Sequence, residues 1–182
     1  MVSGIKSQFM DPQVVATHFH LRHDDAVADF GAGGGNFIPI LSRAVGSNGR
    51  VYACEIQKNL VEKLGALIRE KHLSNVRPLW SDLEAPHGTT LGDGILDAGF
   101  LINTLFQIEQ KKQALEEIAR TMRKGAKLFI IDWTDSFGGL GPHPKQVVME
   151  ITARALAEAT GFTSERTFPA GDHHYGLACR RM

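Results

Sequence analysis

Ala26-Val27-Ala28-Asp29-Phe30-Gly31-Ala32-Gly33-Gly34-Gly35-Asn36, continued by Phe37-Ile38-Pro39-Ile40-Leu41-Ser42-Arg43-Ala44-Val45, decides the fold of this chain. The short apolar run, broken only by Asp29, predicts a strand, the glycines a loop, and the segment after them a helix. Glycine lacks a Cβ, so it tolerates positive φ and lets a ligand lie against the backbone, while the first amides of the following helix stay free to donate to that ligand. Ser47-Asn48-Gly49-Arg50 reads as a turn and Val51-Tyr52-Ala53-Cys54-Glu55 as a second strand. Glu55 is expected at the carboxyl edge of the sheet, where a carboxylate accepts hydrogen bonds from a ribose diol. These features together imply a nucleoside pocket.

The glycine spacing separates two kinds of nucleoside cofactor. A dinucleotide loop carries glycine at its first, third and sixth places, and here those places hold Gly31, Gly33 and Asn36. The third glycine is missing. The pattern Asp29, Gly31, Gly33, Gly35 instead resembles motif I of the class I S-adenosylmethionine-dependent methyltransferases, in which the loop passes beneath the methionine part of the cofactor. Within that family the chain is most similar to the type 11 group that includes the ubiquinone and menaquinone biosynthesis methyltransferases.

Further landmarks of the same family follow in order. Asn75 to Leu83 resembles the third strand, with Asp82 just past its end at the position where the family binds the adenine amino group. Ile95 to Asn103 resembles the fourth strand, and Asn103-Thr104-Leu105-Phe106 the segment beside the transferable methyl. Gln110 to Met122 has apolar residues at helical spacing, Arg123-Lys124-Gly125-Ala126 a turn, and Lys127 to Trp133 a fifth strand. The resemblance implies S-adenosyl-L-methionine as cofactor, held by Asp29, Gly31, Gly33, Gly35, Glu55, Ile56, Asp82, Leu83 and Asn103, with no metal.

The implied fold is α/β, a Rossmann-like sheet of seven mostly parallel strands with an antiparallel last strand and helices on both faces. Alternation of strand and helix along the chain supports parallel βαβ units. Pro78 lies inside the third strand, where a missing amide is tolerated mainly at a sheet edge. Gln57 to Lys71 and Lys145 to Thr160 are predicted helices. Thr163 to Phe168 and Tyr175 to Arg181 are extended runs joined by Pro169-Ala170-Gly171-Asp172, a short link that makes the two strands antiparallel. Such a closing hairpin argues against a nicotinamide-dependent dehydrogenase.

The chain has 182 residues, a length at which one domain spanning 1–182 is expected to bury roughly two-thirds or more of its unfolded surface. Within it, residues 1–20 are expected to form a helical segment covering the cofactor, with Asp11 as N-cap and Pro12 in the first turn. Twenty basic residues balance twenty acidic ones, so the net charge does not advertise the general attraction that drives nucleic-acid binding, which leaves room only for a local basic patch. The Asn/Asp-Pro-Pro-aromatic signature of nucleic-acid amino methylation is absent, since Asn103 precedes Thr104, Leu105 and Phe106. Cys54 and Cys179 have no paired spacing, and no stretch reaches membrane-spanning length, which together predict a cytoplasmic protein without a membrane anchor.

A sulfonium methyl is already activated, so alignment with the acceptor is the main task, and a base is needed only where the acceptor must lose a proton. His20, His143 and His173 are the candidate bases. His174 adjoins His173, but alternation along a strand sends neighbouring side chains to opposite faces. Asp135 to Pro144, rich in glycine and proline, is predicted to form a loop over the acceptor. The expected function is methyl transfer to a small-molecule acceptor; the rival within the same fold is a noncatalytic module that senses cofactor or holds a partner.

Overall fold

The computed structural model describes residues 10–137, 139 and 141–182. Its elements are α1 (Pro12–Ala16), β1 (Ala26–Phe30), α2 (Ile38–Val45), β2 (Arg50–Glu55), α3 (Lys58–Glu70), β3 (Val76–Trp80), β4 (Leu96–Ile102), α4 (Lys111–Thr121), β5 (Met122–Trp133), α5 (Glu150–Ala159), β6 (Phe162–Pro169) and β7 (His174–Arg181), with single 3₁₀ turns at Leu105–Gln107 and Pro144–Gln146. The seven strands form one sheet in the order β3-β2-β1-β4-β5-β7-β6. Strands β1 to β5 pair in parallel, and β7 runs antiparallel to both of its neighbours. The closing hairpin therefore inserts its second strand into the sheet and leaves β6 at the edge.

Alternation along the strands distributes the core over both faces of the sheet. Ala28, Phe30, Leu101 and Ile130 pack with Leu115 and Ile118 of α4 and Ala153 of α5. Val27, Phe100 and Phe129 pack on the other face with Val15 of α1, Leu41 of α2 and Leu64 of α3. Phe19 sits against Phe100 and Phe129 at ring-centroid distances of 4.6 and 4.9 Å, which fastens the segment after α1 to the sheet. Asp11 caps α1 through its carboxylate, which accepts from the Gln13 amide at 2.8 Å. The sequence positions 1–9, assigned above to the covering segment, lie outside the described residues.

Pro78 is on β3, the outermost strand at the other edge, where its missing amide forfeits no ladder bond on the solvent side. Two boundaries differ from the sequence reading. Arg123 to Ala126 do not end a helix before the fifth strand; Leu96 pairs with Met122 while Ala98 pairs with Lys127, so these four residues bulge out of the ladder, with Gly125 at φ +80°. The helix expected over 145–160 begins only at Glu150, because Pro144–Gln146 closes as a separate turn and Met149 is extended.

The order of the strands reverses between β1 and β4. A crevice opens there at the carboxyl ends, as in other open α/β sheets.

Candidate cofactor and acceptor site

A cavity of about 490 Å³ lies in that crevice, walled by Gly31 to Gly34 on one side and by Glu55, Ile56, Asp82, Leu83, Asn103 and Thr104 on the others. The glycine loop is anchored from β2. The amides of Gly31 and Ala32 both donate to the Cys54 carbonyl at 2.9 Å, and the Gly33 amide donates to Glu55 Oε2 at 3.0 Å. Glu55 Oε1 accepts from the Gln57 amide at 2.8 Å, so one buried carboxylate braces the loop and starts α3. Gly31 has φ +86°, and a Cβ built on it would stand 2.4 Å from Thr104 Oγ1. A Cβ at Gly34 would meet nothing within 4 Å, so the loop's outer turn has open space beside it.

Among the described residues the loop amides are held by the Cys54 carbonyl and the Glu55 carboxylate, and Asp29 stands beside them. The Asp29 carboxyl is buried, and its Oδ1 has no hydrogen-bond partner among the described residues. Burial, reinforced by the nearby Glu55 carboxylate, pushes its pKa up to about 7. Asn103 Oδ1 is likewise buried without a partner among the described residues, and both residues line the cavity together with Ser81, whose hydroxyl lies beside the Cys54 thiol. Buried polar atoms are normally satisfied, so two orphans around one cavity mark a polar ligand site. Apolar walls from Ile56, Leu60 and Leu83 complete it. The Trp80 indole N–H donates to the Ile56 carbonyl at 2.8 Å, fixing that wall, and Asp82 Oδ1 accepts from the Glu84 amide at 3.0 Å. A ligand with charged, ribose and aromatic parts fits this mixture, and S-adenosylmethionine has all three.

The candidate bases separate. His20 lies at the opposite, amino edge, in a basic depression with Arg22, Arg123, Lys124 and Arg180, because it precedes β1. That position removes it from the cofactor cavity. His143 is exposed, and its Nδ1 accepts from the Lys145 amide at 3.3 Å, capping the 3₁₀ turn. His173 lies where β7 begins, with Nδ1 2.9 Å from Asp135 Oδ1 and 3.1 Å from Oδ2. His174 is buried against Trp133, ring centroids 4.2 Å apart, and burial followed by repulsion from His173 pushes its pKa down to about 4.

Two acidic residues gain importance only from the structure. Asp132, fully buried at the end of β5, accepts from the Phe106 amide at 3.0 Å and from the Trp133 amide at 2.8 Å, pinning the segment that follows Asn103. Burial pushes its pKa up to about 6. Asp135 pairs with His173 across 38 positions of sequence. The available signal was position: like Glu55 and Asp82, both sit at or just beyond the carboxyl end of a strand.

The strand order, the inserted antiparallel strand, the glycine loop and the carboxylate closing β2 define a class I S-adenosylmethionine-dependent methyltransferase. The family profile of the methyltransferase domain matches residues 28–130, and the chain belongs to that family. It is 28% identical over 151 residues to the ubiquinone/menaquinone biosynthesis C-methyltransferase of Hydrogenovibrio crunogenus, an alignment covering 82% of this chain and 52% of that protein. The chain thus spans about half the length of this curated relative. The crystal structure of a SAM-dependent methyltransferase from Aquifex aeolicus superposes with a TM-score of 0.88 at 29% identity, covering 96% of this chain and 91% of the other. The geranyl diphosphate C-methyltransferase of Streptomyces coelicolor, solved with S-adenosyl-L-homocysteine, shares the fold with a TM-score of 0.76 at 12% identity over 94% of this chain and 76% of its own.

Proposed function

We propose that this protein transfers the methyl group of S-adenosylmethionine to a small-molecule acceptor bound over the carboxyl edge of β4 and β5. The single observation carrying this reading is the cavity whose glycine loop is braced by Glu55 and whose walls hold the unpartnered Asp29 and Asn103 oxygens. When bound, the cofactor supplies a sulfonium-activated methyl group. Glu55 is assigned the ribose hydroxyls and Asp82 the adenine amino group, with Ile56 and Leu83 covering the ring faces. Asp29 and Asn103, together with the backbone of Gly31, Gly33 and Gly35, are assigned the methionine end.

Asp132 holds the Asn103 to Phe106 segment in place, and that segment orients the methyl toward the acceptor. Alignment of two bound reactants is worth roughly 7–11 kcal/mol of barrier, so holding them in line accounts for most of the catalysis. The balanced charge, 20 basic against 20 acidic residues, supports a small acceptor over a nucleic acid. No helix among the described residues is long and apolar enough to cross a membrane, and both thiols are unpaired and buried; we assign the enzyme to the cytoplasm on this basis. Calorimetric titration with S-adenosylmethionine, with NADH as comparator, tests the reading. Binding of S-adenosylmethionine alone, abolished by Glu55→Ala, is expected; folded protein free of carried-over cofactor that takes up no S-adenosylmethionine would overturn it.

A further inference from the structure

Cations gather round the depression at the amino edge of the sheet: Arg22 ahead of β1, Arg123 and Lys124 on the bulge, Lys127 on β5 and Arg180 on β7. In a chain whose charges balance overall, this is a local excess. Two carboxylates share the walls, and both are already engaged. Asp97 accepts from the Ala26 amide at 2.7 Å and is paired with the Arg123 guanidinium, while Asp25 accepts from the Arg22 amide at 2.8 Å. Arg180 donates from Nε to Glu165 at 2.5 Å and from Nη1 to the Gly125 carbonyl at 3.1 Å, which ties its head to the bulge and leaves Nη2 without a partner among the described residues. Arg22, Lys124 and Lys127 make no ion pair among the described residues.

The ladder adds an independent observation. Lys127 stands directly opposite Arg180 between β5 and β7, so two cations share one face at adjacent positions. Like charges facing each other across strands destabilise the pair, and the neighbour of Lys127 on the other side, Ala98, brings no countercharge. An anion seated between them relieves the repulsion. The floor beneath is apolar and buried, made by Phe19, Ala98 and Phe129, so charges meet there with less screening than on an open surface. The cavity measures about 270 Å³, just under the roughly 300–1,000 Å³ of sites that take whole drug-sized ligands, which fits a compact group. None of the exposed large apolar side chains among the described residues lines it, so nothing there is suited to a lipid tail.

We propose that this depression is a second ligand site, which takes the phosphate or diphosphate group of a small phosphorylated compound. Lys127 and Arg180 contribute from the sheet, Arg22 and Lys124 from the loops on either side. Clustered guanidinium and ammonium donors suit the several oxygens of a phosphate, with which charge-assisted hydrogen bonds are strong. The site shares no lining residue with the cofactor cavity, so it stands apart from the cofactor assignment and both can be filled at once.

The test titrates the full chain with sodium pyrophosphate and with orthophosphate at fixed ionic strength, by calorimetry and by amide shifts of ¹⁵N-labelled protein. Saturable, submillimolar binding of pyrophosphate is expected, with shifts at Gly125, Ala126 and Lys127 and none along Gly31 to Gly35. Arg22→Glu and Lys124→Glu are each expected to weaken it by about tenfold or more, whereas Lys63→Glu, the same charge change on an exposed position of α3, should stay within about twofold. Lys127→Gln is expected to weaken pyrophosphate binding while raising the melting temperature of the unliganded protein, because it removes the charge facing Arg180; a lowered melting temperature would overturn the repulsion on which the site rests. Shifts confined to the glycine loop would move the anion to the cofactor cavity, and equal losses in Lys63→Glu would reduce the binding to general charge attraction. Either result overturns the proposal. So would sedimentation with phosphatidic acid vesicles, or a labelled oligo-uridylate bound more tightly than pyrophosphate, since the occupant would then be a membrane or an RNA.

Discussion

The Glu55 carboxylate accepts the Gly33 amide at 3.0 Å across 22 positions of sequence, so the residue at the end of β2 shapes the loop at the end of β1. Its other oxygen accepts from the Gln57 amide at 2.8 Å. Replacing it with alanine removes the assigned ribose contact and leaves two amides seeking partners, each lost bond to a charged acceptor costing about 1.5–3 kcal/mol. Glu55→Ala is expected to weaken S-adenosylmethionine binding by at least about tenfold and to lower the melting temperature. Calorimetry and thermal unfolding read the two effects separately, and a variant with wild-type affinity would contradict the first.

Asp29 makes the unliganded protein sensitive to pH. Its folded pKa, about 7, lies above the ordinary 3.8, so the folded state keeps a proton that the unfolded chain gives up. The contribution of Asp29 to stability is therefore greatest below about pH 4, falls as pH rises toward 7, and levels off above that. Asp132, raised to about 6, adds a slope of the same sign. Asp29→Asn is expected to flatten the fall by an amount on the order of a few kcal/mol, seen in urea midpoints across this range. An unchanged slope would show that Asp29 ionises freely in the fold.

The same residue couples binding to protons. A cationic ligand beside Asp29 favours its carboxylate form. Near pH 6.5, uptake of S-adenosylmethionine should release a proton, giving calorimetric heats that vary with the ionisation enthalpy of the buffer. Asp29→Asn should abolish that variation, and buffer-independent heats for the wild type would rule the coupling out.

Gly31 and Thr104 allow a double-mutant test of the loop geometry. A methyl group at Gly31 meets Thr104 Oγ1 at 2.4 Å and Cγ2 at 2.6 Å, on a backbone with φ +86°. Gly31→Ala is expected to destabilise by about 1–3 kcal/mol and to weaken cofactor binding. Adding Thr104→Ala removes the two closest contacts and should recover part of the loss, leaving the backbone strain. Strict additivity of the two substitutions would mean that the loop relaxes away from Thr104.

Glu117 supports the acid side of the stability curve. Burial alone would raise its pKa, but hydrogen bonds from Arg120 and from the Thr89 hydroxyl and amide outweigh it and hold the carboxyl at about 2. The stabilisation is complete above the ordinary 4.5 and is lost as pH falls through about 2. Glu117→Gln is expected to lower stability at pH 7 by about 1–3 kcal/mol and to reduce the sensitivity to acid below pH 4. Chemical unfolding at both pH values checks the sign.

Local patterns carried much of the fold. The glycine loop, the apolar runs on either side of it, Pro78 and the closing hairpin each state a preference that the final topology respects, because each depends on residues close together in sequence. The bulge at Arg123 to Ala126 was not readable, since it arises from the register between β4 and β5 rather than from its own composition. The same holds for the bases. Histidine identity singled out His20, His143 and His173, but only the path of the chain sends His20 to the amino edge, uses His143 as a cap, and brings His173 to Asp135 with α5 and β6 intervening in sequence. Asp29 illustrates the remaining limit: the motif marks it for the pocket, whereas its protonation follows from burial beside Glu55, a property of the packed structure.

The insertion of β7 between β5 and β6 also has a consequence for how the chain is made. On the ribosome, β5 is complete at Trp133, about forty residues before its outer partner begins at His174. Until those residues emerge, one side of the apolar run Leu128 to Ile131 has no strand to pair with, and an unpaired edge of that kind is a template for other nascent chains. The hairpin therefore acts as the latch of the sheet, closing a seam that stays adhesive during synthesis.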